Sequence, residues 1–179
     1  MDNERSASRS TEDRLRAIED RLEIYNLIAS HPPTADTGAG DHARNLYAED
    51  ATVDLGGAKT ASGRDAIAAM VEAPGHRAAI AGGLAHIAGL PHIALDGDAA
   101  VVTSYLQILT PHPTANAVEV PNHGVSAGFR IHRVAANRWE LARTAAGWKI
   151  KRRTLRPLDG SEPARELLRQ ALEPRKAKP

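Results

Sequence analysis

Leu15, Ile18, Leu22, Tyr25 and Ala29 recur at alternating spacings of three and four. That period predicts an amphipathic helix with this stripe buried. Ser10-Thr11-Glu12-Asp13 just ahead has the form of a capping box and sets the start. Pro32 and Pro33 are expected to end the helix, because proline disfavours helical geometry in the residue before it and offers no N–H. After Asp36 the stretch "TGAG" reads as a flexible connection, and Asp41 is expected to cap a short helix over 42–48. "ATVDLGG" (51–57) reads as a short strand and turn. Ser62-Gly63-Arg64-Asp65 then opens a third helix that stops before Pro74, and "GHRAAIAGG" adds a further helical turn.

From residue 84 the pattern changes to strands. "LAHIAGLPHIAL", a turn at Asp96-Gly97-Asp98 and "AAVVTSYLQIL" form a hairpin. Residues 110–124 read as a loop. Residues 125–144 are long enough for one bent strand, with Ala135 and Ala136 suited to a bulge. "AAG" turns into the last strand, "WKIKRRTL", and Ser161 caps a closing helix. Helices first and antiparallel strands afterwards make an α+β fold, not an alternating one. A curved antiparallel sheet around the N-terminal helices would form a cone with one open mouth. The expected organisation is a disordered segment over 1–10, one domain over 11–160, and a C-terminal helix with a frayed tail over 161–179.

Composition narrows the function. The chain has 179 residues, 42% hydrophobic and 25% charged, the balance of an ordinary globular domain. A net charge of +1 gives no field that would point to nucleic acid or to a membrane surface. With no cysteine, disulfides, thiolate nucleophiles and cysteine-held metals are excluded. "MDNERSASRS" has no apolar core for a secretory signal, and no apolar run is long enough to cross a bilayer, so a cytoplasmic location is expected. The histidines show no metal-ligand spacing, and "GGLAHIAG" lacks the lysine of a phosphate loop. No metal is therefore expected. At 3% aromatics, the walls of any pocket should be aliphatic.

Three segments carry a family resemblance: "IEDRLEIYNLIASHPPTADTGAGDHARNLYAEDATVDLGG", "LAHIAGLPHIALDGDAAVVTSYL" and "NRWELARTAAGWKIKRR". In this order and spacing they resemble the nuclear transport factor 2-like superfamily, SnoaL-like branch, with its cone-shaped α+β barrel (cystatin-like fold), over roughly residues 14–158. Enzymes of this type include scytalone dehydratase, hexachlorocyclohexane dehydrochlorinase and bile acid 7α-dehydratase. The resemblance implies a cofactor-independent lyase or isomerase using a histidine held by an aspartate, here His86 and Asp36. It also implies a cavity-facing residue five positions before the aspartate, here His31, and an arginine of the last strand, here Arg153. It implies a hydrophobic small molecule as substrate and a homo-oligomer, a trimer in preference to a dimer.

The residues allow the same chemistry independently. Histidine can take and return a proton near neutral pH, and a carboxylate fixes its tautomer and supports its charged form. No nucleophile is needed to remove a proton from carbon. Arg153 would serve as a fixed charge for a leaving group or an enolate. His31 would assist a departing hydroxyl, or else act as a helix-end cation. Strict alternation from Trp148 and Ile150 puts Arg152 on the inner face, so Arg153 requires a bulge or twist. Two other readings stay open: a non-catalytic ligand-binding protein or accessory subunit on this fold, and a hydrolase or cyclase with a second carboxylate such as Asp54.

Overall fold

A computed structural model describes residues 10–57 and 60–173 of the chain. Its first helix, α1 (Thr11–Ala29), begins at the expected capping box: the Asp13 backbone N–H donates to the Ser10 hydroxyl and the Ser10 N–H to the Asp13 carboxylate. The buried face differs from the expected one. Leu15, Ile18 and Leu22 are 56, 56 and 60% exposed and Tyr25 is 43% exposed, whereas Asp20, Ile24 and Ile28 face inward. Burial of that face depends on Asp20. It accepts hydrogen bonds from Trp148 Nε1 at 3.2 Å and from Arg143 at 2.5 Å, and a polar group so satisfied can be buried. The apolar stripe is left on the outside.

The proline pair does more than end α1. It opens α2 (His31–Thr37), where Pro32 and Pro33 sit in the first turn and their missing N–H groups have no intrahelical acceptor to lose. The helix stops at Gly38, whose φ of 65° suits glycine. Asp36 is therefore held on a helix, not on a flexible connection. α3 (Gly40–Leu46) starts earlier than expected, with Asp41 in its first turn, and runs into β1 (Tyr47–Asp54). β2 (Thr60–Ser62), α4 (Arg64–Glu72) and α5 (Pro74–Ala81) follow. The segment expected to be disordered over 1–10 and the tail over 173–179 lie outside the described residues, apart from Ser10 and Glu173.

The remaining strands are β3 (Ala85–Ala88), β4 (His92–Asp96), β5 (Ala99–Pro111), β8 (Phe129–Thr144) and β9 (Gly147–Pro157), with α6 (Glu162–Leu172) last. The segment expected as a loop contains a small ribbon of β6 (Val118–Val120) and β7 (Gly124–Ser126). The main sheet runs β2-β1-β9-β8-β5-β3, with β4 beside β3 along the same edge of β5. The architecture is the expected α+β cone, open rather than closed. Its sheet is mixed, since β1 pairs with β9 in parallel. β1 leaves α3 at the end of the sheet where the β8–β9 turn lies, so both strands start from that end.

Two irregularities set the inner face. On β8 the pairing with β5 shifts between Arg133 and Ile131, so the bulge falls at His132. Ala135 and Ala136, the expected bulge, pair regularly with Leu106 and Tyr105. Ala136 is small for a different reason: α6 lies against it through Ala164 and Leu167. On β9, Ile150 pairs with Leu141 and Arg152 with Glu140, which leaves Lys151 without a partner on β8. Burial then runs through Trp148, Ile150, Arg153 and Leu155. The extra residue shifts the two-residue alternation by one position, so Arg153 turns inward and Arg152 is exposed.

Candidate active site

Trp139, Trp148, Ile150, Ile24 and Ile28 fill the α1 end of the cone. Towards the other end, α2 to α5 cover the sheet and leave a cavity of about 190 Å³. Its walls are mainly aliphatic, from residues such as Leu46, Val53, Ile67 and Leu106. The groups in it that carry polar chemistry are His31, His76, His86, Tyr47, Arg133 and Arg153.

Asp36 and His86 lie 50 positions apart in the chain and meet at the cavity. β3 is an edge strand, so its outward backbone N–H groups have no strand to bond. The His86 N–H instead donates to the Asp36 carboxylate, at 3.2 and 3.0 Å from its two oxygens. The same carboxylate accepts from His86 Nδ1 at 2.5 Å. A single acid thus fixes the strand and the ring together. With Nδ1 bonded to a carboxylate, the proton of the neutral ring is on Nδ1 and the free lone pair is on Nε2. Burial lowers the His86 pKa below 6.5, and the Asp36 hydrogen bond and charge only partly offset it. The ring is then neutral at physiological pH and able to accept a proton. The side chains of His86 and Asp36 are 13% and 27% exposed, which puts the pair at the rim of the cavity, largely shielded.

His31 opens α2 and is buried. Its ring packs edge-on to Trp139 at 5.0 Å and to His86 at 6.3 Å, and forms no hydrogen bond with the described residues. Burial first, then the charge of Arg153, holds its pKa well below 6.5. His31 directly follows Ser30, the C-cap of α1, but burial there disfavours the charged ring that a helix-end cation needs. It can donate an N–H hydrogen bond, but it is not poised as an imidazolium acid.

Arg153 reaches the cavity because of the β9 bulge. Its Nε donates to Asn137 Oδ1 at 3.1 Å, its guanidinium lies 4.5 Å from the Trp139 ring centroid, and the Tyr47 phenol stands near enough to act on its charge. Burial lowers its pKa against the opposing effect of Tyr47, and the nearby Arg133 charge acts in the same direction as burial. Burial raises the pKa of Tyr47, so the phenol keeps its proton. Asp54 does not line the cavity; it binds Arg156 at 2.6 Å and the Gly56 N–H at 2.9 Å. His112 and His123 are exposed. Among the described residues no group of three His, Cys, Asp or Glu side chains could hold a metal ion, and no helix is long and apolar enough to cross a membrane.

Tyr47, His76 and Arg133 were not singled out from the sequence. His76, on α5, donates from Nε2 to the Ala35 carbonyl at 2.7 Å and stands 6.0 Å from the His86 ring. Arg133 could have been found by alternation: on β8 it shares the face of Ala135, Asn137 and Trp139.

Comparison with known proteins identifies the scaffold. No curated protein matches the chain. A nuclear transport factor 2-like protein with a cystatin-like fold from Novosphingobium aromaticivorans is 39% identical, with 91% of this chain and 99% of that one covered and a TM-score of 0.78. A provisionally assigned scytalone dehydratase from the same organism shares 19% identity over 83% of this chain and 88% of its own, with a TM-score of 0.58. A provisionally assigned dehydratase from Streptomyces avermitilis, at 15% identity, covers 79% of this chain and 97% of its own, also with a TM-score of 0.58. The family description "SnoaL-like domain" matches residues 16–154. With that match over most of its length, the chain belongs to the SnoaL-like family of the nuclear transport factor 2-like superfamily.

Proposed function

We propose that the protein is a cofactor-independent lyase or isomerase acting on a hydrophobic small molecule. The observation that carries this reading is the 2.5 Å contact between His86 Nδ1 and Asp36 at the rim of an aliphatic cavity. His86 Nε2 takes a proton from a carbon next to an electron-withdrawing group, and Asp36 stabilises the imidazolium that forms. Arg153, aided by the Tyr47 O–H, stabilises the negative charge left on the substrate. In an elimination, the C–H electron pair becomes the new double bond and the C–O or C–halogen bond breaks. A departing hydroxyl leaves as water with the proton returned from His86, while the neutral His31 N–H polarises the oxygen. In an isomerisation, His86 returns the proton to a different carbon. The dehydratase assignments of structural relatives agree with this class of reaction.

The test is carbon-proton exchange. Cyclic ketones and β-hydroxy ketones incubated with the protein in D₂O should exchange or eliminate, as followed by NMR. His86→Ala should remove this activity with the circular dichroism spectrum unchanged. Ligand binding without exchange or elimination, in both the native protein and the variant, would favour the non-catalytic binding protein instead.

A further inference from the structure

The cavity contains more positive charge than one proton abstraction needs. Arg133 is half-buried and lines the same cavity as Arg153. Its Nε is buried without a hydrogen-bond partner, and its Nη2 reaches only the Leu55 carbonyl at 3.5 Å. Arg153 has neutral partners, Asn137 and Tyr47. Neither guanidinium has a carboxylate within 4.0 Å among the described residues. Asp36, the acid that reaches His86 at the rim, is committed to that ring. Asp159 feels the Arg133 charge but is exposed and bonded to Ser161.

Leaving the buried Arg153 without a counter-charge is costly, and the unpaired Nε–H of Arg133 adds to the cost. A bound anion removes both penalties, and the planar donor set of arginine matches a carboxylate. We propose that the substrate is already an anion when it binds: a hydrophobic ring system bearing a carboxylate that Arg133 holds, beside Arg153, which remains free for the charge that develops in the reaction. This rests on the lyase or isomerase reading and adds the chemical class of its substrate.

The test is equilibrium binding by titration calorimetry with a matched pair of probes, 2-naphthoate and its neutral analogue 2-naphthamide. The native protein should bind the carboxylate at least about tenfold more tightly, the worth of one charge-assisted hydrogen bond. Arg133→Met should abolish that preference and leave amide binding unchanged, and Arg133→Lys should keep part of it. His86→Ala should keep the preference in full, so a failure of the proton-transfer reading leaves this result untouched. Equal affinities in the native protein, loss of both probes together in Arg133→Met, or no binding of either probe overturns the proposal.

Discussion

Two aspartates each tie a helix to the sheet, and the difference between them separates stability from chemistry. Asp20 on α1 accepts from Trp148 Nε1 and from Arg143, whose guanidinium also lies 4.7 Å from the Trp148 ring centroid. Asp36 on α2 accepts from the backbone and ring of His86. Both pairs cross long stretches of chain. Arg143 cannot release its proton near neutral pH, so the Asp20 contact is a permanent clamp. His86 can, and its second nitrogen is free. The same acid at the same kind of junction becomes a candidate catalytic group only because its partner titrates.

The largest expected effects break this contrast directly. His86→Ala should reduce turnover by about 10²–10⁴-fold, and Asp36→Asn should approach the same loss, with the melting temperature nearly unchanged. Asp20→Ala should do the opposite: kcat is retained, while urea unfolding shows a loss of about 1–3 kcal/mol, because the buried Trp148 N–H loses its acceptor while Arg143 keeps Asp98. Turnover and unfolding measured on the same three variants decide the matter.

Acid separates the two sites further. Burial raises the Asp20 pKa, but the Arg143 and Trp148 hydrogen bonds outweigh it, and the folded value lies below 3.8. The unfolded chain then binds that proton more readily, so this contribution is complete above 3.8 and is lost as pH falls through the folded value. Asp20→Asn should flatten the acid-unfolding curve in that window. For His86, burial lowers the folded pKa below 6.5, so the acid limb of kcat/KM should lie at lower pH than a free imidazole would give. In Asp36→Asn that decline should move to still lower pH, because the carboxylate is what raises the value. The smallest effects refine the picture. His31→Gln should cost about tenfold in kcat, one hydrogen bond's worth. Trp148→Phe should cost about 1–2 kcal/mol of stability through the lost N–H on Asp20.

The sequence revealed the dyad more readily than the packing around it. Asp36 and His86 were legible because the resemblance to a known family singled out their positions, and the edge strand supplied the geometry. The buried face of α1 was not legible. Its most regular apolar stripe is the exposed one, and the true core face is interrupted by Asp20, whose partners arrive from β8 and β9. Pro32 and Pro33 read as an ending, although the same residues can begin a helix. Tyr47, His76 and Arg133 come from β1, α5 and β8, so no local spacing links them to His86. Arg133 was within reach, since phasing β8 from Trp139 puts it on the inner face.

Lys151, which no residue of β8 opposes, acts as a selector between neighbours. Upstream of it β9 keeps step with the tryptophan core, and downstream with the hollow. Were Lys151 instead paired regularly opposite Glu140, Arg152 would face the ligand and Arg153 the solvent, with neither side chain altered. The cation such a pocket offers is therefore chosen by counting along the backbone as much as by which amino acid is encoded.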